Sequence, residues 1–318
     1  MPKYARQFLL PEMTTPWMMN LSNKLLSELS LPGTHDSCCN MDCGILQCQT
    51  WSLTEQLKQG IRFFDIRCRH FEDRLEIHHD WVYCNLSFED VLMICRNFLK
   101  AAPSECLVMR VKQEYTPAKC SRKFDVTFKE VYDKNKDILH LSERIPYLNE
   151  VRGKIWILFD FECNGLISFP WSKGRIQDMW CIDSAVEMKH KLQKIHCQIL
   201  GTAKGTSDNL FLNFFSGTGH FGWPKRISKN TNRLLTRYKC KLGIVIFDFP
   251  GKDILNHVIM QNHFMTVEVK KVNHLQGLIK VNFFKLLKQK IRTSCSECNK
   301  KIVRNFLIEN DFKYLNVR

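Results

Sequence analysis

The feature that most constrains this chain is an alternation, repeated across residues 25–262, of short apolar runs with helix-like stretches. Cys106–Lys112 (CLVMRVK), Lys154–Phe161 (KIWILFDF) and Leu242–Phe249 (LGIVIFDF) are apolar nearly throughout. A strand with that pattern is covered on both faces, as in a parallel sheet flanked by helices. Between such runs, Phe88–Ala102 sets Phe88, Val91, Leu92, Cys95 and Leu99 at helical spacing and stops at Pro103. The same criteria predict strands over Ser27–Thr34, Ile61–Cys68, Leu75–His79 and Leu210–Phe215. They predict helices over Leu53–Gln59, Phe124–Tyr132, Ser184–Leu200, Ile227–Tyr238 and Asp253–Gln261. Seven or eight strands with intervening helices in one domain-sized stretch close most economically as an α/β barrel. The irregular connections after several strands predict a distorted TIM-type (β/α) barrel. The expected organisation is an N-terminal arm (1–22), one barrel domain (23–264) and a basic C-terminal extension (265–318).

Composition narrows the setting. No apolar run reaches the ~20 residues that span a bilayer. Met1–Met19 has no uninterrupted apolar core of the kind a secretory signal carries. A cytoplasmic protein, peripheral at membranes, is therefore expected, with secretion as the alternative. Fifteen cysteines, odd in number and without a repeated spacing, read as free thiols in a reducing compartment. Of the net charge of +15, residues 265–318 hold +8, from 12 Lys/Arg against 4 Asp/Glu. Such a surface favours polyanions, either an anionic membrane face or nucleic acid. No nucleic-acid-binding motif is present, so nucleic acid is not expected. Val281–Arg292 (VNFFKLLKQKIR) mixes apolar and basic residues at helical spacing, suited to lying on an anionic membrane or docking on the barrel. Cys295 and Cys298 have the spacing of half a zinc site, but no second pair follows in the tail, so they read as ordinary thiols.

In a (β/α) barrel, catalytic groups sit at the C-terminal ends of strands. The expected strand ends supply His35 and Asp36, then Asp65 and Arg67, then His79, then Lys112 and Glu114, then Asp160, then Asp248. Period-2 alternation puts Asp65 and Arg67 on one face and Ile66 on the other. Six polar strand ends in succession predict one shared pocket. Two imidazoles can move protons near neutral pH, and a guanidinium can fix an anion, which together suit a phosphodiester.

LPGTHDS (31–37), GIRFFDIR (60–67) and LEIHHD (75–80) resemble the catalytic X region of phosphatidylinositol-specific phospholipase C, in its small single-domain form. WSLTEQLKQGIRFFDIRCR, FLKAAPSECLVMRVKQEY, RGKIWILFDF and LGIVIFDFP fit that family's order and spacing, and the resemblance covers residues 20–262. None of the PH, EF-hand, Y or C2 regions of the large signalling enzymes is present. The resemblance implies a phosphodiesterase that cleaves phosphatidylinositol, or a glycosylated relative, to diacylglycerol and a cyclic inositol phosphate. In that scheme the inositol 2-hydroxyl is the internal nucleophile. His35 matches the general base and Asp248 the carboxylate that orients it. His79 matches the general acid, assisted by Asp36. Arg67 matches the cation on the phosphate, and Asp65 positions these groups. Lys112 and Glu114 match positions lining the inositol pocket. Asp178 and Trp180 in IQDMW resemble an Asp-x-Tyr element that binds hydroxyls and supports the ring. Arg67 also matches the calcium-independent members, so no metal or other cofactor is expected. The expected partner is a phospholipid at a membrane surface. Asp160 departs from the bacterial pattern, which has an arginine there for the headgroup. Trp51, Trp81, Trp171 and Trp223 are candidates for lipid contact. The alternatives are a phosphodiesterase for another lipid headgroup and an inactive lipid-binding protein.

Overall fold

The computed structural model describes residues 16–41 and 44–263. The expected helix over Val281–Arg292, the Cys295/Cys298 pair and most of the N-terminal arm lie outside the described residues. The strands are β1 (Leu31–Thr34), β2 (Phe63–Phe71), β3 (Arg74–His79), β4 (Val82–Ser87), β5 (Leu107–Gln113), β6 (Leu139–His140), β7 (Ile155–Asp160), β8 (Phe169–Pro170), β9 (Arg175–Gln177), β10 (Phe211–Phe214) and β11 (Ile244–Phe247). The helices are α1 (Leu53–Lys58), α2 (Phe88–Ala101), α3 (Phe124–Lys134), α4 (Leu148–Val151), α5 (Ala185–Lys204), α6 (Pro224–Leu235) and α7 (Lys252–Met260). Helix starts follow their capping residues. Ser52 before α1 and Ser87 before α2 each accept from the third backbone N–H of the helix, and the acidic residue there (Glu55, Asp90) returns a bond to the serine N–H.

Eight strands run parallel in the order β6-β7-β5-β2-β1-β11-β10-β9. The sheet curls into the expected distorted barrel but leaves a seam. The outer edge of β7 is shared, by β6 at Ile155 and Trp156 and by β8 at Leu158 and Phe159. A single 3₁₀ turn, Trp171–Lys173, then leads to β9, which pairs only with β10 among the described residues. Trp171 fills this seam. Its ring lies 6.3 Å from that of Phe63, 6.1 Å from that of Phe214 and 4.2 Å from the Arg110 guanidinium. Trp171, one of the four candidates for lipid contact, is thus a barrel-interior residue.

Two further expectations change. Ser27–Thr34 is not one strand, because Leu26–Glu28 forms a 3₁₀ turn and only Leu31–Thr34 pairs. The segment ending in His79 is not a parallel barrel strand. β2 runs on past the barrel to Phe71, turns at Glu72 and Asp73 (φ 50° and 58°), and returns antiparallel as β3. Positive φ at both turn residues is the signature of a type I′ hairpin. β4, not expected from the sequence, extends this hairpin by one more antiparallel strand.

Strand alternation sorts the apolar residues into two clusters. Phe64, Ile66, Met109, Val111, Ile157, Val245 and Phe247 face the helices. Leu31, Phe63, Val108, Trp156, Leu158, Leu212, Phe214, Ile244 and Ile246 fill the barrel interior. Gly33 belongs to that interior face, and the Phe63 ring occupies the space its side chain would need: a Cβ there would lie 2.7 Å from Phe63 Cδ1. A buried ion pair supports the first turn of the motif around Arg62. Arg62 Nε donates to Glu105 Oε2 at 2.7 Å, and Glu105 also accepts from the Met18 N–H at 2.8 Å. This arginine, two residues before Phe64, is a structural member of GIRFFDIR.

Candidate active site

The strands β2, β5, β7 and β11 carry the same gradient: apolar inward residues first, charged ones at the C-terminal end. On β2 the inward face reads Phe63, Asp65, Arg67; on β5 it reads Val108, Arg110, Lys112; on β7, Trp156, Leu158, Asp160. On β11 it reads Ile244 and Ile246, followed by Asp248. The parallel register sets Asp65 beside Arg110 and Arg67 beside Lys112, with Lys112 in turn beside Asp160.

The turn after β1 is held from several directions. Ser37 Oγ accepts from the Asp65 N–H at 2.8 Å, and Asp65 Oδ2 accepts from the Asp36 N–H at 3.1 Å. The Thr34 hydroxyl donates to Gln56 Oε1 at 2.7 Å, and the Gln56 amide donates to the Ser37 carbonyl at 2.7 Å. Gln49 Nε2 donates to the carbonyls of His35 (2.6 Å) and Phe247 (3.0 Å), tying the ends of β1 and β11 together. Asp36 itself adopts φ 42°, a left-handed conformation that an aspartate tolerates better than most residues. These bonds explain why a threonine and a serine flank His35 and Asp36.

His35 Nδ1 lies 2.9 Å from Asp248 Oδ1, and its Nε2 lies 2.8 Å from Arg67 Nη2. A guanidinium only donates, so Nε2 is the acceptor and the ring proton sits on Nδ1, facing Asp248. Asp248 is fully buried; its Oδ2 accepts from the Gly217 N–H at 3.4 Å, and its carbonyl accepts from Asn232 Nδ2 at 3.1 Å. Burial works against a charged His35, but Asp248 and Asp36 outweigh burial and Arg67, so its pKa is raised. Arg67 Nε is 3.1 Å from Asp36 Oδ1, its Nη2 3.2 Å from Asp65 Oδ2 and its Nη1 3.7 Å from Glu114 Oε1.

Asp36 Oδ2 lies 3.4 Å from Nε2 of His35 and 3.3 Å from Nε2 of His79, and forms a well-aligned hydrogen bond to neither. Burial raises the Asp36 pKa, with Arg67 and the two imidazoles pulling against it. The other nitrogen of His79, Nδ1, lies 3.3 Å from Cys39 Sγ. Burial alone would lower the His79 pKa; the Cys39 contact and the Asp36 carboxylate push it up to about 9. His79 thus holds its second proton at neutral pH.

The structure brings His35, Asp36, Asp65, Arg67, His79, Glu114 and Asp248 into one charged cluster, and Lys112 joins it through Glu114 at 2.7 Å. Asp178 and Trp180 stand apart. They follow β9 and are exposed (Trp180 to 59%), and among the described residues they form no hydrogen bond or ion pair with this cluster. Trp180 is not a core aromatic. Of the remaining tryptophans, Trp81 and Trp223 are exposed by 64% and 53%, while Trp51 packs against the helix-side core. Arg110 is a site residue that the strand-end argument does not pick out. It donates to Asp65 Oδ1 at 3.0 Å and, through Nε, to Asp160 Oδ2 at 2.9 Å. The period-2 pattern of LVMRVKQ, which groups Arg110 with Lys112, is the signal that could have found it. Asp160 is accordingly neutralised by an arginine from the adjacent strand. Burial works against a charged Asp65, but Arg67 and Arg110 override it and lower its pKa.

Residues 24–159 match the family described as "Phosphatidylinositol-specific phospholipase C, X domain". The chain is 30% identical over 282 residues to a 1-phosphatidylinositol phosphodiesterase of Listeria monocytogenes, covering 79% of this chain and 86% of that one. The chain belongs to the phosphatidylinositol-specific phospholipase C family. It is also 27% identical over 298 residues to the Staphylococcus aureus (strain Newman) protein of the same name, covering 77% and 93% of the two chains. Among solved structures, the Listeria phosphatidylinositol-specific phospholipase C superposes with a TM-score of 0.67 at 30% identity, covering 78% of this chain and 98% of that one. A mutant of the Staphylococcus aureus enzyme has the same fold, with a TM-score of 0.70 at 23% identity over 77% and 97% of the chains. The fold seen here is thus that of phosphatidylinositol-specific phospholipase C.

Proposed function

We propose that this protein cleaves phosphatidylinositol at a membrane surface, releasing diacylglycerol and a cyclic inositol phosphate. The observation that carries this reading is Asp36 Oδ2 lying between the Nε2 atoms of His35 and His79, 3.4 and 3.3 Å away, beside the Arg67 guanidinium. Two imidazoles that share one carboxylate can reach opposite sides of one phosphorus. The inositol 2-hydroxyl displaces Arg67 from His35 Nε2 and gives up its proton there, while Asp248 stabilises the imidazolium that forms. Arg67, drawn to the phosphate, offers planar donors to oxygens whose charge grows in the transition state. His79 Nε2–H protonates the departing diacylglycerol oxygen, with Asp36 holding the ring in place. In this reading Lys112 and Glu114 bind inositol hydroxyls, and the exposed Asp178 and Trp180 contribute from the end of β9.

Fixed cations and two proton carriers leave no step that needs a divalent ion, so the reaction runs without calcium. The relatives' name, 1-phosphatidylinositol phosphodiesterase, supports the same substrate. Among the described residues no helix is long and apolar enough to cross a membrane, which fits an enzyme that meets its lipid from the aqueous side. The test is diacylglycerol release from vesicles of phosphatidylinositol, phosphatidylcholine or phosphatidylserine in excess chelator. Turnover of phosphatidylinositol alone is expected. Equal turnover of all three would overturn the substrate assignment, and rescue by added calcium would overturn the metal-free mechanism.

A further inference from the structure

The proposed chemistry uses one nitrogen of His79 and leaves the other facing sulfur. Cys39 Sγ, Cys48 Sγ and a His79 ring nitrogen all lie within 4.8 Å of one another. His79 Nδ1 lies 3.3 Å from Cys39 Sγ. Cys39 and Cys48 come from the β1–α1 connection and His79 from the end of β3, and their backbones are braced. The N–H groups of Cys48 and Gln49 both donate to the Cys39 carbonyl at 3.0 Å, and His79 ends β3. The two thiols are buried and the imidazole half-buried. Cys84 hydrogen bonds Cys39 from β4 and adds another soft donor beside the set. Buried thiols such as Cys95 and Cys106 lie elsewhere, within the apolar core.

Two thiolates and one imidazole are soft and borderline ligands, the set that selects zinc and its neighbours over calcium or magnesium. With Zn–S near ~2.3 Å and Zn–N near ~2.0–2.1 Å, tetrahedral ligand atoms stand roughly 3.5–3.8 Å apart. The observed spread, within 4.8 Å, exceeds that separation by at most about 1 Å. Three protein ligands leave a fourth position open to water.

We propose that Cys39, Cys48 and His79 Nδ1 form a regulatory site for a thiophilic divalent cation of the zinc class, and that its occupancy switches the enzyme off. This rests on the role of His79 proposed above. Binding displaces the protons that the two sulfurs and Nδ1 carry, at most one from each; the metal stays divalent and no electron moves. A ring metallated at Nδ1 keeps one proton, on Nε2, and can no longer become the imidazolium. A neutral imidazole is a far weaker acid than imidazolium, so the leaving alkoxide goes unprotonated. Removing the cation restores the acid. A chelator would therefore stimulate this protein, the opposite of its effect on a calcium-dependent phospholipase.

The experiment uses the full chain and Co²⁺ as the probe, because thiolate-to-cobalt charge transfer is visible by absorption whether or not the protein turns over. Wild type should develop a charge-transfer band with one equivalent of Co²⁺, and Zn²⁺ should displace it. Cys48→Ser should lose the band and bind Zn²⁺ more weakly by at least the ~10–100-fold that even a supporting residue is worth. Its metal-free turnover should stay within about twofold of wild type. Cys106→Ser, a thiol in the barrel core, should behave as wild type. Zn²⁺ should inhibit wild type in proportion to the band displaced, with recovery on chelation, and spare Cys48→Ser. Absence of the band in wild type, or its survival in both Cys48→Ser and Cys39→Ser, overturns the site. Full turnover by the Zn²⁺-loaded wild type overturns the switch. A band without any phosphatidylinositol turnover would instead count against the proposed enzyme function and leave the metal site standing.

Discussion

Replacing Asp248 with asparagine removes one charge and almost no volume, and the surrounding geometry dictates the consequence. Asp248 Oδ1 receives the His35 Nδ1 proton at 2.9 Å, and Oδ2 faces the Gly217 N–H at 3.4 Å. An amide satisfies Gly217 with its oxygen, which turns its NH₂ toward His35 Nδ1. Nδ1 must then give up its hydrogen, and the proton moves to Nε2, the atom that should act as base. Loss of a charge-assisted hydrogen bond alone is worth ~1.5–3 kcal/mol, or roughly 10- to 150-fold in rate. The tautomer change carries the total toward ~10⁴-fold, the scale seen when an analogous base-orienting carboxylate becomes an amide. The pH profile separates this from general damage. Asp248 is the strongest of the groups raising the His35 pKa, against burial and Arg67. Without it the His35 pKa falls, so the acid limb of kcat/KM moves to lower pH while the alkaline limb, set by His79, stays. The assay is phosphatidylinositol turnover in detergent micelles across pH 5–10. A variant within threefold of wild type, or an acid limb that does not move, would refute the assigned role.

For wild type the profile should be bell-shaped. Activity is lost as pH falls through a His35 pKa above its ordinary 6.5, because the base becomes protonated, and as pH rises past about 9, because His79 loses its proton. Glu105→Ala strands Arg62 in the apolar base of the barrel and should lower stability by ~3–5 kcal/mol in urea melts; a loss under 1 kcal/mol would mean the pair is solvated. Gly33→Ala forces a Cβ into the Phe63 ring and should cost ~1–3 kcal/mol, an effect that Gly33→Ala combined with Phe63→Leu should partly relieve. Arg67→Lys keeps the charge but loses the planar fork, and should lower kcat by ~10²–10³-fold while chromatographic behaviour is unchanged.

Whether a feature is readable in the sequence depends on whether it lies along the chain or across it. The strands β5, β7 and β11 are legible because an uninterrupted apolar run has few alternatives to a covered parallel strand. The site is legible because these and the other predicted strands end in His, Asp, Arg and Lys, and strand ends are where a barrel keeps its chemistry. The β2–β3 hairpin escapes notice because Glu72 and Asp73, rather than glycines, take the left-handed turn, and because the strand carrying His79 has the same composition in either direction. Arg110 is hidden by its apolar neighbours; only register with Asp65 and Asp160 reveals its use. Trp171 lies in an apparent loop, and nothing in the sequence says that the barrel seam needs a plug. The Cys39–Cys48–His79 cluster joins the β1–α1 connection to the end of β3, and no local spacing announces it.

The central claim is that His35 lets a substrate hydroxyl attack the phosphorus while His79 protonates the lipid oxygen. Phosphorus NMR of the products formed from phosphatidylinositol tests it most directly. The account requires an early cyclic phosphodiester signal, formed by wild type and absent with His35→Ala. A phosphomonoester as the first and only product, or a cyclic signal that persists undiminished in His35→Ala, would contradict it.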